Sequence, residues 1–261
     1  MNNQNNYEKA EILYQEIENI YNTYLLTEKK QIKYAWILYD RGRNLADQCK
    51  NIESEKYSLE ALKIFRELQC QSGIGWSLYS LSILMLNLEK NSLASDYSTE
   101  AYTLFSHLRD RSGMAWSRHI LGRVAFRQKN YELAHNCYQE NIKIWHESQN
   151  WSGIAFALEG FARLAAALDQ PERSACLFGA AQFLHEDTQV FLPPADLAEH
   201  ENSLAALQTQ IDEATFTSAW NAGREMAEKS IGSSLPFMLN QQTRCQDNIL
   251  LTQKLRKFLK P

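Results

Sequence analysis

Three short stretches of the sequence begin with Ser-Gly, end in an aromatic residue and recur at intervals of 40 residues. They read SGIGW at 72–76, SGMAW at 112–116 and SGIAF at 152–156, and Trp36 occupies the aromatic position one interval earlier. Self-similarity at a fixed period is typical of repeat architectures. One helical hairpin of this size cannot bury its apolar face alone, so several copies stack on one another. The repeat therefore restricts the chain to an array of similar units.

Small residues recur in register with the aromatic positions and indicate where helices cross. They stand one position before each aromatic and six positions after it: Ala35, Gly75, Ala115, Ala155, Gly42, Ser82, Gly122 and Ala162. Two helices approach closely only where their side chains are small. The 261 residues include only ten Gly and five Pro, too few for strands joined by frequent turns. The sequence thus predicts an all-α chain.

Polar turns divide each repeat into two antiparallel helices. They read LEKNS at 88–92, RQKN at 127–130 and LDQP at 168–171, and Pro171 suits the first turn of a following helix. We expect Ser72, Ser112 and Ser152 to begin the first helix of each pair, with their hydroxyls capping free backbone N–H groups.

The pattern resembles the tetratricopeptide repeat, and LGRVAFRQKNYELAHNCYQENI at 121–142 is the best copy. Asn141 departs from the small residue usual at its position. The usual unit has about 34 residues, so each unit here is longer. The resemblance implies a right-handed superhelix of antiparallel helix pairs with a period of about 40 residues. We predict a capping helix within 1–34, four repeats over 35–188, a C-terminal helical cap over 189–231 and a tail over 232–261.

Residues 171–231 resemble the C-terminal end of the helical-repeat region in ATPase-type bacterial transcriptional regulators of the LuxR type. The matching stretches are LFGAA at 177–181, LPPA at 192–195, AEHENSLAAL at 198–207 and FTSAWNAGRE at 216–225. The chain has no G-x-x-x-x-G-K-[ST] phosphate loop. The resemblance therefore implies a sensor or scaffold arm without the ATPase. We expect helices over about 195–210 and 213–229, the second capped by Asp212, to close the end of the array.

Charge and composition exclude several classes of function. A net charge of -4 argues against general nucleic-acid binding, so we expect no direct nucleic-acid partner. No signal sequence or membrane span is expected. The five cysteines form no CxxC pair, which favours buried or incidental thiols in the cytoplasm, without a metal or other cofactor. The six histidines form no catalytic motif, and the carboxylates lie mostly in exposed helix patterns, so no enzyme is expected. The basic amphipathic end, LLTQKLRKFLK, suits either a solvated helix or a partner contact.

In tetratricopeptide folds the first helix of each pair lines a concave groove. The corresponding faces here carry a recurring arginine column beside aromatic residues, and the candidate ligand-binding residues are Arg43, Tyr79, His119, Arg123, Phe126, Arg127 and Arg163. Arginine binds carboxylates bidentately, and aromatic faces accept apolar side chains. The alternative is that Trp36, Trp76 and Trp116 pack between hairpins while the arginines extend to solvent or pair with Glu.

The function that these patterns favour is non-catalytic binding of a protein or peptide with an anionic group, in bacterial signalling or transcriptional regulation. The alternative is a small-molecule or pheromone-sensing arm that acts on a separate ATPase or DNA-binding partner. An open charged groove would favour peptide capture, and a closed apolar cavity would favour sensing. The sequence does not define the oligomeric state.

Overall fold

The computed structural model describes residues 2–23, 27–190 and 192–232, and every regular element in these ranges is an α-helix. The helices are α1 (Asn2–Thr23), α2 (Glu28–Asp47), α3 (Asn51–Glu67), α4 (Gln71–Asn87), α5 (Asn91–Leu108), α6 (Arg111–Arg127), α7 (Tyr131–Glu147), α8 (Trp151–Ala167), α9 (Pro171–Asp187), α10 (Pro194–Gln208) and α11 (Glu213–Gly232). The predicted all-α class is confirmed. The basic segment LLTQKLRKFLK of the predicted tail lies outside the described residues.

Residues in the left-handed backbone conformation follow the helices from α2 to α9 at intervals of twenty residues. Their φ angles lie between 53° and 60°, and they are Cys49, Gln69, Glu89, Arg109, Lys129, Gln149, Asp169 and Gln189. The next amide in each case donates to a carbonyl five residues earlier, as from Lys50 to Leu45 at 2.9 Å. This hydrogen bond defines the Schellman motif, which satisfies carbonyls at a helix end. The polar turns predicted at 88–92, 127–130 and 168–171 fall at these joints, as expected.

The described residues pack as two units, and the division falls within α6. The first unit comprises 2–124 with 193–195, and the second comprises 125–192 with 196–232. In the first unit α1 packs on α2, α2 on α3, α3 on α4 and α4 on α5. In the second unit α7 packs on α8, α8 on α9, and α9 on α11. Consecutive helices therefore pair from α1 to α5 and from α7 to α9, whereas α11 packs on α9. Because α2 begins at Glu28, its first turns precede the predicted start of the repeats at residue 35.

The glycine of each Ser-Gly pair lies beneath a buried aromatic ring of the preceding helix. A Cβ atom on Gly73 would lie 2.3 Å from Phe65, and one on Gly113 would lie 2.4 Å from Phe105. In the second unit a Cβ on Gly153 would lie 2.4 Å from Trp145. All three rings are fully buried. Glycine is therefore required here by the close approach of a ring.

The predicted capping role of Ser72, Ser112 and Ser152 is wrong. The helices begin one residue earlier, at Gln71, Arg111 and Trp151, so the three serines lie inside the first turn. The residue before the helix does the capping where a side chain caps at all. Asp110 accepts a hydrogen bond from the Gly113 amide at 2.9 Å, and Asn150 accepts one from the Gly153 amide at 2.8 Å. An N-cap residue precedes the first helical residue because only there does its side chain reach the free amides.

Helices α9 and α11 approach each other through glycine. A Cβ atom on Gly179 would lie 2.2 Å from the Trp220 carbonyl oxygen, and one on Gly223 would lie 1.8 Å from the Cys176 carbonyl oxygen. Asp212 accepts a hydrogen bond from the Thr215 amide at 3.0 Å, which confirms its predicted capping of α11. Pro171 stands in the first turn of α9, also as predicted. The last described helix thus packs backbone to backbone against α9.

Candidate functional site

The first helices of the first unit carry a series of aromatic contacts. Trp36 meets Tyr39 edge-on at a centroid distance of 5.5 Å on α2. On α4 the rings of Trp76 and Tyr79 are 5.6 Å apart. The series continues to α6, where Trp116 lies 6.4 Å from Tyr79. Offset and edge-on contacts at these distances are favourable between π-systems. Aromatic contacts therefore occur within α2 and α4 and between α4 and α6, and we call Trp36, Tyr39, Trp76, Tyr79 and Trp116 the aromatic strip of this unit.

Each of the first two tryptophans also packs on the partner helix of its pair. Trp36 meets Phe65 of α3 at 4.9 Å, and Trp76 meets Phe105 of α5 at 5.0 Å. Both indole rings remain partly exposed. These contacts lie within one helical hairpin, so the interpretation that the tryptophans pack between hairpins stays a prediction. The part of each ring that stays exposed still offers an apolar surface.

The predicted ligand-binding residues of the first unit differ in exposure. Arg43 is exposed, and its guanidinium lies 5.8 Å from the Tyr39 ring centroid. Tyr79, His119 and Arg123 are buried, with 8%, 4% and 7% of their surfaces exposed. His119 contacts Trp116 edge-on at 6.3 Å. Of these four residues, Arg43 therefore has the charge most accessible to a ligand.

A buried arginine that the sequence columns did not single out joins α1 to α2. Arg41 is 5% exposed and pairs with Glu18 at 2.8 Å and with Glu11 at 2.5 Å. Its guanidinium also stacks 4.0 Å from the Tyr57 ring centroid. Two carboxylates and an aromatic face satisfy this cation within the fold. Arg41 therefore attaches the N-terminal helix.

The second unit contains a buried ionic cluster centred on Glu159 of α8. Its carboxylate is bound on one oxygen by Arg163, with Nη2 2.9 Å from Oε2. The other oxygen faces two imidazoles. His200 Nδ1 of α10 lies 3.0 Å away and His185 Nε2 of α9 lies 3.3 Å away. Three helices thus converge on one carboxylate that is 1% exposed.

The cluster keeps the Glu159 carboxyl ionised. Burial by itself would raise its pKa, but the two imidazoles and the Arg163 guanidinium outweigh burial, so the pKa lies well below its usual value. An ionised carboxylate only accepts hydrogen bonds, so Nδ1 of His200 carries the proton that it donates. With both oxygens engaged and almost no exposure, Glu159 serves to hold α8, α9 and α10 together.

Glu199 of α10 lies beside two of the predicted ligand-binding arginines. Its carboxylate is 3.9 Å from Arg163 Nε and 4.0 Å from Arg127 Nη2. The third predicted residue of this unit, Phe126, is half-buried and meets the Tyr131 ring at 5.8 Å. The structure therefore brings Arg127 and Arg163 together around a carboxylate of the chain itself.

Sequence reasoning placed Arg163 at the candidate site but missed Glu159, His185, Glu199 and His200. One signal for the cluster is the pair of charges, Glu159 and Arg163, four residues apart within the otherwise apolar WSGIAFALEGFARLAAAL at 151–168. A second signal is His185, which stands 40 residues after Trp145 where the earlier repeats carry Phe65 and Phe105. The first signal is a pair of charges within an apolar stretch, and the second is a polar residue in a column that is otherwise aromatic.

The described residues contain no group of His, Cys, Asp and Glu side chains arranged to hold a metal ion. Among the same residues, no helix combines the length and apolarity needed to cross a membrane. No protein-family model matches the sequence, and no curated protein matches it.

Proposed function

We propose that this chain is a non-catalytic, cytoplasmic binding module of the tetratricopeptide type, a right-handed array with a repeat of about 40 residues. Its ligand is a protein or peptide segment that carries carboxylates and an apolar side chain. A role as a bacterial signalling or regulatory arm follows from the resemblance of residues 171–231 to transcriptional regulators. The regular helix ends at intervals of twenty residues support the repeat.

The observation that carries this proposal is the aromatic strip of the first unit with Arg43 beside it. Partly exposed Trp36 and Trp76 offer apolar ring surface, and Arg43 offers a charge within 5.8 Å of Tyr39. Rigid aromatic anchors with a neighbouring arginine are the residues that contribute most to protein interfaces. An arginine also distinguishes carboxylates by forming two parallel hydrogen bonds.

The test is to pan a random peptide display library against the immobilised chain. We expect enriched peptides to combine Asp or Glu with a large apolar residue. Their binding should weaken about tenfold or more in Arg43→Ala, the scale of one hydrogen-bonded charge pair. The matched control is Arg66→Ala, because Arg66 is an exposed arginine that pairs with Glu100 away from the strip.

Two results would refute this assignment. If Arg43→Ala and Arg66→Ala lost binding equally, the peptides would be bound by general charge attraction and not by a site at Arg43. A library without any enriched peptide would instead favour the small-molecule sensor, which a thermal-shift screen of small metabolites would then examine.

A further inference from the structure

We propose that α1 is a dimerisation helix whose outward face packs antiparallel against the same face of a second copy of this chain. This inference goes beyond the proposed function and uses a different surface of the first unit. Three features carry it: the way α1 is held on α2, the apolar side chains that α1 turns to solvent, and the two opposite charges placed among them.

Helix α1 is attached to the fold in one rotation about its own axis. Glu11 and Glu18 lie seven residues apart on one side of the helix, and both pair with the buried Arg41 of α2. One turn further along, the Tyr21 ring stacks on Tyr34 of α2 at a centroid distance of 3.6 Å. These contacts fix which residues of α1 face the core and which face outward.

The outward face of α1 carries apolar side chains that the fold leaves uncovered. Ile12, Leu13 and Ile20 are 58%, 57% and 57% exposed. Lys9 and Glu16 are exposed on the same side, because positions three, four, seven and eleven residues apart share one face of a helix. We call these five residues the outer stripe of α1.

Apolar residues on two sides of one helix indicate that both sides are covered in solution. Ile17 and Tyr21 cover one side by packing on the core of the first unit. A single exposed leucine needs no explanation, but several large apolar side chains in one patch mark an interaction site. Because the outer stripe is narrow and runs along a helix, another helix is the shape that fits it.

The charges of the outer stripe identify that second helix as another α1. Lys9 and Glu16 stand seven residues apart, with Ile12 and Leu13 midway between them. If two copies of α1 run antiparallel with Lys9 opposite Glu16 of the other copy, the two-fold axis repeats this ion pair. Ile12 then lies against Leu13 of the other copy, also twice. The stripe is therefore complementary to itself in charge and in polarity, as a two-fold interface requires.

The same charges disfavour the other alignments of two α1 helices. A parallel pair in register places Glu16 beside Glu16 of the other copy. An antiparallel pair shifted to bring Leu13 against Ile20 does the same, because Glu16 then lies next to the two-fold axis. Like charges in these positions repel each other, so only the first register combines apolar contact with opposite charges.

The first experiment measures the mass of the full chain by sedimentation velocity from about 5 to 500 µM, because an interface of this size supports only a weak dimer. We expect monomer at the low end of this range and dimer at the high end. Ile12→Ser should weaken the dimer at least about tenfold, since it removes an apolar side chain at the centre of the interface. The matched control is Ile52→Ser, the same change at an isoleucine of α3 that is 87% exposed, and it should leave the dimer unchanged.

Two results of this experiment would overturn the proposal. A chain that stays monomeric at the highest concentration would leave the outer stripe to a different partner. Equal weakening by Ile12→Ser and Ile52→Ser would show non-specific association of exposed apolar side chains.

The second experiment tests the register by exchanging charges. Lys9→Glu places like charges opposite each other twice, so it should weaken the dimer roughly three- to tenfold. The double variant Lys9→Glu/Glu16→Lys restores both opposite pairs and should dimerise like wild type. The matched control Lys9→Glu/Glu53→Lys has the same net charge but changes an exposed acid of α3, so it should stay weak. If the restoring variant were as weak as this control, the antiparallel register would be wrong.

Both experiments are independent of the proposed function because they use no peptide ligand. All the substituted positions are exposed, and far-UV circular dichroism checks that each variant keeps its helix content. If the dimer forms while the peptide library yields nothing, the proposed function fails and the dimerisation helix stands. If peptides bind to a chain that sediments as a monomer throughout, the dimerisation helix fails and the proposed function stands.

Discussion

Replacing Glu159 with Gln removes one charge from the buried cluster and preserves the shape of the side chain. Arg163, which is 8% exposed, then loses its hydrogen-bonded counter-ion, and the nearest remaining carboxylate is Glu199 at 3.9 Å. Removing one partner of a buried ion pair costs about 3–5 kcal/mol. The amide oxygen of Gln can still accept from His200, so we expect the lower figure, about 3 kcal/mol. For a chain of this size that lowers the melting temperature by about 6–12 °C.

The assay is thermal unfolding at pH 7, followed by far-UV circular dichroism. Its matched control is Glu186→Gln, because Glu186 also pairs with an arginine at 2.8 Å, but in an exposed setting. Exposed ion pairs contribute about 0–1 kcal/mol, so this variant should melt within about 4 °C of wild type. If Glu159→Gln lost no more stability than Glu186→Gln, the buried cluster would not hold the three helices together.

The difference in melting temperature between wild type and Glu159→Gln should depend on pH. The pKa of Glu159 is lowered in the folded chain, so its charge contributes stability at pH values above the usual carboxyl pKa of 4.5. That contribution is lost as the pH falls from there toward the lowered folded pKa. We expect the gap in melting temperature between wild type and Glu159→Gln to be full at pH 7 and to narrow below about pH 4.5. A gap that stayed constant to pH 3 would refute the role of the charge.

Three further predictions concern packing, thiol chemistry and capping. Gly223→Ala places a Cβ against a backbone carbonyl of α9 and should lower the free energy of unfolding, measured by urea denaturation, by about 3 kcal/mol. The control Ala222→Ser, at an exposed position, should change it by about 0.5 kcal/mol or less. Burial raises the pKa of the Cys176 thiol to about 11, so iodoacetamide at pH 7.5 should label exposed Cys49 and spare Cys176, as read by peptide mass mapping. Asn150→Ala removes the cap on α8 and should lower stability by about 1 kcal/mol in the same urea assay.

Each of these predictions has an opposing result. A Gly223→Ala chain as stable as wild type would contradict the close approach of α9 and α11. Labelling of the two cysteines at equal rates in the folded chain would show that the Cys176 thiol is accessible. An unchanged Asn150→Ala chain would show that the first amides of α8 are satisfied without the side chain.

The all-α class and the polar joints could be predicted from the sequence because both follow local rules. Small residues at crossing positions, polar turns and Pro171 depend on near neighbours in the chain. The ion cluster could not be predicted in the same way. Its members come from α8, α9 and α10, and His200 stands 41 residues from Glu159. Tertiary packing decides which helix brings a donor to a buried carboxylate. The pattern of residues along one helix therefore cannot identify the helix that supplies the donor.

The predicted serine caps show the same contrast between features set by near neighbours in the chain and features set by tertiary packing. Helices α4, α6 and α8 begin one residue earlier than predicted, so Ser72, Ser112 and Ser152 lie in the first turn. The sequence offers Ser, Asp and Asn within three positions, and all of them suit a cap. Asp110 and Asn150 are the capping residues because the Phe105 and Trp145 rings require glycine at the third residue of α6 and α8. This requirement sets where each of the two helices begins.

The left-handed residues that end the helices have a consequence for the evolution of the surface. A non-glycine residue in this conformation costs about 1 kcal/mol, and a glycine in its place would lose about as much through added freedom of the unfolded chain. The two effects nearly cancel, so selection for stability is almost indifferent to the side chain there. Glutamine, glutamate, arginine, lysine and aspartate all occupy these joints. The chain can therefore change the sign of its charge at regular points along its length while the backbone hydrogen bonds keep the fold.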